Sequence, residues 1–200
     1  MPPVTRALLI ANVAIFFLQT SGGFALVESF GLWPPASGDY NSPGFGPWQL
    51  VTYSFLHGSL THLVFNMFGL YMFGSEAERL FGSRFFSLYY LASVVAAGVT
   101  HLVITAFMGG PAIPVVGASG GVYGLLLAFG VYFPHRTVVL LIPPVPMKAR
   151  TFVFVFAAIE LVFGVTGTAS GVAHFAHLGG MLGGWLMILW RRRSGPSRRN

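Results

Sequence analysis

The chain has 200 residues, of which 54% are hydrophobic and only 8% are charged, and its formal net charge is +6. Soluble domains typically carry about 25% charged residues, so this composition excludes an ordinary soluble domain and indicates an integral membrane protein. The absence of cysteine from the sequence excludes disulfide scaffolds, cysteine nucleophiles and thiolate metal sites.

Six long apolar segments with almost no charge predict six membrane-spanning helices. In chain order they are 7–26, 57–74, 85–107, 115–133, 151–165 and 172–190. A helix needs about 20 apolar residues to cross the hydrocarbon core, and backbone groups in lipid must find partners within the protein, which favours helices here. The predicted fold is therefore all-α: a polytopic membrane protein with a six-transmembrane-helix bundle. Residues 1–200 form a single membrane domain, of which 191–200 are a basic tail.

The first segment also fits a second interpretation, a cleaved signal peptide. Its sequence, MPPVTRALLIANVAIFFLQTSGG, has one arginine, an apolar run and small residues after that run. Its removal would leave five spans and would place the two chain ends on opposite sides of the membrane.

The distribution of basic residues favours six spans and predicts their orientation. With both termini on one side, all eleven Lys and Arg residues fall in the N-terminal segment, the loops 75–84 and 134–150, and the tail. The opposite loops contain Glu28 and Asp39 but no Lys or Arg. The positive-inside rule then makes both termini cytoplasmic. We expect the tail to contact anionic lipid headgroups rather than nucleic acid.

Three spans that run inward from the outer face carry polar residues near their outer ends. These residues are His57, His62 and Asn66 on the second span, Ser119 and Tyr123 on the fourth, and His174 and His177 on the sixth. At 1.5 Å per residue they lie on the order of 6–14 Å below the outer surface. Polar side chains inside a bilayer are costly and tend to mark function, so this shared depth predicts a functional site.

The residue types at this depth indicate nucleophilic catalysis. A serine hydroxyl is a weak nucleophile until a base such as histidine takes its proton. Ser119 is predicted at a helix N-terminus, where backbone N–H groups favour an oxyanion. His62 and Asn66, spaced i and i+4, face one direction and could donate to the same oxyanion. Gly117, Gly120 and Gly121 remove side-chain bulk, which would let a substrate backbone approach.

Simpler structural interpretations remain open for several of these positions. A serine among glycines in a membrane helix is more often a packing site than a nucleophile. The pair Gly180 and Gly184 is typical of a close helix contact, which would bring the sixth span against the fourth. His174 competes with His177 for the role of base. The depth count places Glu160 too deep in the fifth span for a catalytic role, so it favours a Ser–His dyad over a triad.

Four motifs also carry a resemblance to a known family. They are HLVFN at 62–66, GASG at 117–120, the tyrosine at 123, and HLGGMLGG at 177–184. With these motifs, nearly the whole chain resembles the rhomboid intramembrane serine proteases in their six-span bacterial form. The resemblance implies the following roles: Ser119 as nucleophile, His177 as base, His62 and Asn66 in the oxyanion hole, Tyr123 packed on the catalytic histidine, and Gly117, Gly120, Gly180 and Gly184 in support. The family often has Trp-Arg in the outer loop, where this chain has Trp48 and Gln49.

The resemblance further implies an endopeptidase that cleaves single-pass membrane proteins in or near their transmembrane helix, without cofactor or metal. The protein would lie in the bacterial cell membrane, with its site open to the outer face. We expect a substrate helix to enter sideways past the fifth span and the 166–171 loop. Substitution by alanine at Phe152, Phe154 or Phe156 should then loosen the entrance.

An inactive relative that only binds membrane clients is the alternative function, and the intact Ser119 and His177 argue against it. A transporter should show paired broken helices, and the sequence does not suggest them.

Overall fold

The computed structural model describes residues 1–35, 43–108, 113–139, 143–168 and 173–194. Asp39, residues 169–171 of the 166–171 loop, the start of the sixth predicted span and the end of the basic tail from residue 195 onward lie outside these ranges.

The described residues are mostly helical, as predicted. The helices are α1 (Pro3–Gly22), α2 (Ala25–Phe30), α3 (Gln49–Thr52), α4 (Leu60–Gly69), α5 (Ser75–Phe81), α6 (Ser83–Met108), α7 (Ser119–Tyr132), α8 (Ala149–Thr166) and α9 (His174–Ser194). A 3-10 turn follows α3, and a π-helical turn at Leu70–Gly74 joins α4 to α5. Within the described ranges, α1, α6 and α8 are individually long and apolar enough to cross a membrane, whereas the apolar α7 has only 14 residues.

Several helix boundaries differ from the predicted ones by a few residues, and two of these differences have a clear physical reason. The fourth predicted span starts at 115, but α7 begins at Ser119. The cause is Gly117, whose φ of 129° is incompatible with a helix, and Val115 instead forms an antiparallel bridge with Leu32. The second predicted span ends at 74, but the helical stretch continues through α5 to Phe81, because a helix can extend beyond the apolar layer.

A small β-ribbon between α7 and α8 was not predicted. Strands β1 (Thr137–Val139) and β2 (Pro146–Lys148) pair antiparallel, with Val138 opposite Met147. Strands of three residues are too short to show the alternation by which a sequence indicates a strand. The all-α prediction therefore holds for the bundle and is wrong for this loop.

Helices α7 and α9 touch through their backbones at glycine. A methyl group at Gly180 would overlap the backbone carbonyl of Gly120, and one at Gly184 would overlap the hydroxyl of Tyr89 on α6. That hydroxyl donates a hydrogen bond of 2.7 Å to the carbonyl of Gly124. Small residues let membrane helices approach this closely. The first turns of α7 and α9 are consequently held side by side.

At the opposite end of the bundle, the carboxylate of Glu78 joins α1, α5 and α6. It accepts hydrogen bonds from the backbone N–H groups of Val4 and Thr5 at 3.0 and 2.7 Å, and from the hydroxyls of Thr5 and Ser83 at 2.7 Å each. A negative charge at the N-terminus of α1 also complements the helix dipole. Burial alone would raise the pKa of Glu78, but these hydrogen bonds outweigh it and hold the pKa below its usual value of 4.5.

Candidate active site

Ser119 is the first residue of α7, where the chain changes from extended to helical. The N–H of Gly117 donates a hydrogen bond of 3.0 Å to the carbonyl of Tyr53, and the positive φ of this glycine turns the chain into the helix. The first N–H groups of a helix have no partner within it. The Ser119 hydroxyl therefore lies beside free backbone donors and the positive end of the helix dipole.

His177 on α9 contacts Ser119 directly. Its Nε2 atom lies 2.7 Å from the Ser119 Oγ atom, although the residues are 58 positions apart in the chain. The ring of Tyr123 stacks on the His177 ring with 4.3 Å between centroids and 4° between planes. Because Tyr123 lies one turn after Ser119, α7 fixes both the position and the plane of this imidazole. A hydroxyl and an imidazole at this distance can act as nucleophile and base.

His174 contacts a carboxylate rather than the serine. Its Nδ1 atom lies 2.6 Å from Glu160 Oε2, and its Nε2 atom lies 3.0 Å from the carbonyl of Thr168. Of the two histidines considered as base, only His177 is within hydrogen-bond distance of Ser119.

Glu160 on α8 is the residue that sequence reasoning missed. Its Oε1 atom lies 3.0 Å from His177 Nδ1 and also accepts a hydrogen bond from the Tyr123 hydroxyl. The expectation that Glu160 lies too deep is wrong. Helix α8 ends at Thr166, six residues later, so Glu160 lies about 9 Å from the C-terminal end of the helix. The same depth count that grouped the other polar residues would have found it.

The two predicted oxyanion donors lie on α4, at the same cavity as Ser119. The hydroxyl oxygen of Ser59 caps this helix by accepting a hydrogen bond of 3.1 Å from the N–H of His62. Asn66 donates one amide hydrogen to the His62 carbonyl at 2.9 Å, which leaves its second amide hydrogen available. The His62 ring packs against Gly117, two residues before the serine.

The glycines around Ser119 let protein groups approach one another closely. A methyl group at Gly117 would overlap the His62 ring, and one at Gly120 would overlap the side chain of Ala97 on α6. Both positions therefore need glycine for packing. The interpretation that these glycines also leave room for a substrate backbone stays a prediction.

A cavity of about 950 Å³ opens at Ser119 and His177. Its polar end is formed by the side chains already described. The rest of the lining is mostly apolar and includes Phe65 and Phe68 of α4 and Phe152 and Phe156 of α8. The cavity can therefore hold an apolar chain beside a hydroxyl nucleophile.

Among the described residues, Glu160, His174 and His177 form a group whose possible metal-ligating atoms lie within 4.8 Å of one another. The carboxylate, however, lies 2.6 Å from His174 Nδ1, which is the distance of a hydrogen bond, and 3.0 Å from His177 Nδ1, which is the distance of an ion pair. The arrangement therefore suits shared protons, and the resemblance implies no metal.

Comparison with known proteins shows which family the chain belongs to. Residues 45–194 match the Rhomboid domain. The chain is 28% identical over 186 residues to "Rhomboid protease GluP" of Bacillus subtilis (strain 168), covering 92% of this chain and 34% of that protein. It is 27% identical over 195 residues to "Rhomboid protease GlpG" of Yersinia pestis (strain Pestoides F), covering 96% of this chain and 64% of that protein.

The chain thus spans about a third of the length of the first relative and just under two thirds of the second. The family match covers the helices that hold Ser119, His177, His62 and Asn66. Together with the three apolar helices that are long enough to cross a bilayer, it identifies the chain as a polytopic membrane protein that belongs to the rhomboid family.

Proposed function

We propose that this chain is an intramembrane serine endopeptidase with Ser119 as nucleophile and His177 as base. The observation that carries the proposal is the 2.7 Å contact between Ser119 Oγ and His177 Nε2, at the polar end of an apolar cavity. Membership of the rhomboid family and the relatives that are named proteases support it.

The geometry indicates how these residues would divide the chemistry. His177 Nε2 takes the proton of Ser119 as Oγ attacks the scissile carbonyl, and later gives it to the leaving amine. The oxyanion of the tetrahedral intermediate receives hydrogen bonds from the Ser119 N–H and from His62 and Asn66. Water then hydrolyses the acyl-enzyme, with His177 again as base. Tyr123 keeps the imidazole plane fixed through both steps.

The proposal includes six spans, cytoplasmic termini and location in the bacterial cell membrane. Ser119 and His177 lie in the first turns of α7 and α9, whereas Arg191 and its two basic neighbours lie in the last turn of α9. This asymmetry supports a catalytic layer near the outer face and a basic cytoplasmic face. Substrates would be single-pass membrane proteins, whose unwound segment enters the cavity from the lipid.

The test compares purified wild-type protein with Ser119→Ala in detergent, each incubated with a single-pass membrane substrate and with a fluorophosphonate probe. Ser87→Ala is the matched control, because the Ser87 hydroxyl is exposed and bonds only the Ser83 carbonyl within α6. We expect Ser119→Ala to lose cleavage and probe labelling, and Ser87→Ala to keep both. Substrate binding without cleavage by the wild type would instead identify an inactive client-binding protein, and labelling of another serine would remove Ser119 from the proposed role.

A further inference from the structure

Glu160 is a carboxylate buried in the apolar helix α8. It is only 6% exposed, and no other acidic or basic residue follows Arg150 in this helix. A buried charge is costly unless it is paired and hydrogen-bonded. Three side chains from the neighbouring helices contact this carboxylate: Tyr123 of α7, and His174 and His177 of α9.

The partners of His174 determine how many protons this cluster holds. The Thr168 carbonyl can only accept a hydrogen bond, so the His174 Nε2 atom, 3.0 Å away, must carry a proton. The 2.6 Å contact between His174 Nδ1 and Glu160 Oε2 needs one further proton on either atom. His174 and Glu160 therefore form a pair without net charge, which explains how the carboxylate is tolerated in the bundle.

The partners of His177 determine which of its nitrogens is free to act as base. For Nε2 to accept the proton of Ser119 it must be unprotonated, so the neutral ring carries its proton on Nδ1. The Oε1 atom of Glu160 lies 3.0 Å from that Nδ1 atom and can act as its acceptor. The contact has the distance of an ion pair but not the alignment of a straight hydrogen bond. Catalytic hydrogen bonds are often misaligned in free enzymes and tighten when the substrate is bound.

We propose that Glu160 is a positioning residue for His177, so that the hydrolytic machinery is a Ser119–His177–Glu160 triad rather than a dyad. This inference rests on the proposed function. The carboxylate holds the proton of the imidazole on Nδ1, keeps Nε2 facing the serine, and tightens its contact when the imidazolium forms. The serine proton moves to His177 Nε2 and no further, and Glu160 remains in its pair with His174.

Tyr123 and His174 hold the carboxylate itself in place. The Tyr123 hydroxyl binds the oxygen that faces His177, and His174 binds the other oxygen. Tyr123 therefore fixes His177 in two ways: its ring stacks on the imidazole, and its hydroxyl holds the acceptor of the imidazole N–H.

The alternative is that Glu160 only joins α8 to α7 and α9. The isosteric variant Glu160→Gln separates the two roles. Its amide fills the same volume, but its NH₂ group can donate to His177 Nδ1 and so move the ring proton to Nε2, the wrong nitrogen for a base. A purely structural role predicts a lower melting temperature with an unchanged kcat. The positioning role predicts a lower kcat with an unchanged KM.

The experiment measures kcat and KM for cleavage of a single-pass substrate by wild-type protein, Glu160→Gln and the control Glu76→Gln. Glu76 is a suitable control because it forms ion pairs with the exposed Arg79 and Arg136, and none of these three residues lines the cavity. The equivalent carboxylate-to-amide change in a serine protease triad costs about 10⁴ in kcat. Because the contact here is not straight and the carboxylate is paired, we expect a loss on the order of 10². A wild-type kcat in folded Glu160→Gln would overturn the inference.

A second measurement does not depend on the variant folding. In wild-type protein labelled with ¹⁵N-histidine, the imidazole shifts of His177 should report a proton on Nδ1, and a proton on Nε2 of the neutral ring would overturn the inference. The proposed function fails separately, if wild-type cleavage does not require Ser119. If cleavage requires Ser119 but Glu160→Gln keeps its kcat, the proposed function stands and only the positioning role of Glu160 fails.

Discussion

An aromatic contact joins α8 to the π-helical turn that follows α4, and we expect its removal to speed cleavage of membrane substrates. The Phe152 ring stacks on Phe156 at 4.4 Å and lies 6.4 Å from Phe73 in the π-helical turn. Phe154, by contrast, is 70% exposed and would face lipid. The sequence-based expectation treated all three phenylalanines of α8 alike, whereas the structure makes Phe154→Ala the control for Phe152→Ala.

The expected increase in cleavage rate depends on how much packing free energy is lost when Phe152 is replaced by alanine. Replacing a core phenylalanine by alanine in a soluble protein costs about 3–5 kcal/mol. In a bilayer most of the transfer part of this cost disappears, because lipid is as apolar as the protein interior. About ten lost atom contacts at about 0.1–0.2 kcal/mol each leave about 1–2 kcal/mol. If opening between α4 and α8 limits substrate entry, the open population and the cleavage rate should rise about 5–30-fold in Phe152→Ala.

The assay is single-turnover cleavage of a single-pass substrate in proteoliposomes, compared with hydrolysis of a small soluble ester by the same preparations. Lateral entry predicts that Phe152→Ala accelerates the first reaction and not the second, and that Phe154→Ala changes neither. Equal acceleration of both substrates, or the same gain in Phe154→Ala, would refute the reasoning.

Three further predictions concern the nucleophile and base, the oxyanion hole and the carboxylate of Glu78. His177→Ala should be as inactive as Ser119→Ala, and the double variant hardly worse, because nucleophile and base act as a unit; additive losses in kcat would contradict this. Asn66→Ala should lower kcat by about 10²–10³, since the other oxyanion donors remain, and an unchanged kcat would exclude Asn66 from the site. The lowered pKa of Glu78 means that its ionised form stabilises the fold at neutral pH, and that this stability is lost as the pH falls below about 4.5 and through the folded-state pKa. Thermal unfolding in detergent should therefore show Glu78→Gln to be less stable than wild type at pH 7, with a difference that shrinks in acid; a constant difference would argue against this role.

The sequence predicted the helices well because membrane spans are encoded by long apolar runs, which need no tertiary information. It also predicted that residues from three spans share one depth, because depth follows from counting residues along a helix. The contact between Ser119 and His177 could not be derived in this way, since it depends on how far α7 and α9 approach at Gly120 and Gly180.

One error in the sequence analysis arose from counting depth along a single span. Glu160 was set aside as too deep for a catalytic role, and that count does not show that its partners lie on two other helices. The sequence likewise does not show that Ala97 and His62 lie against the glycines beside Ser119. Such contacts form only after the bundle has assembled.

The backbone contact between Gly120 and Gly180 has a consequence for how the protein should respond to bilayers of different thickness. Gly120 follows Ser119 directly, and Gly180 lies one helical turn after His177. The reacting atoms therefore lie beside a contact in which the backbones of α7 and α9 meet without intervening side chains. A thicker or thinner bilayer changes the tilt of helices that are free to move. Among the described residues, no glycine brings the backbones of α8 and α4 into such contact. Lipid thickness should therefore alter how readily substrates enter, while the reactivity of Ser119 toward small esters stays constant from one membrane to another.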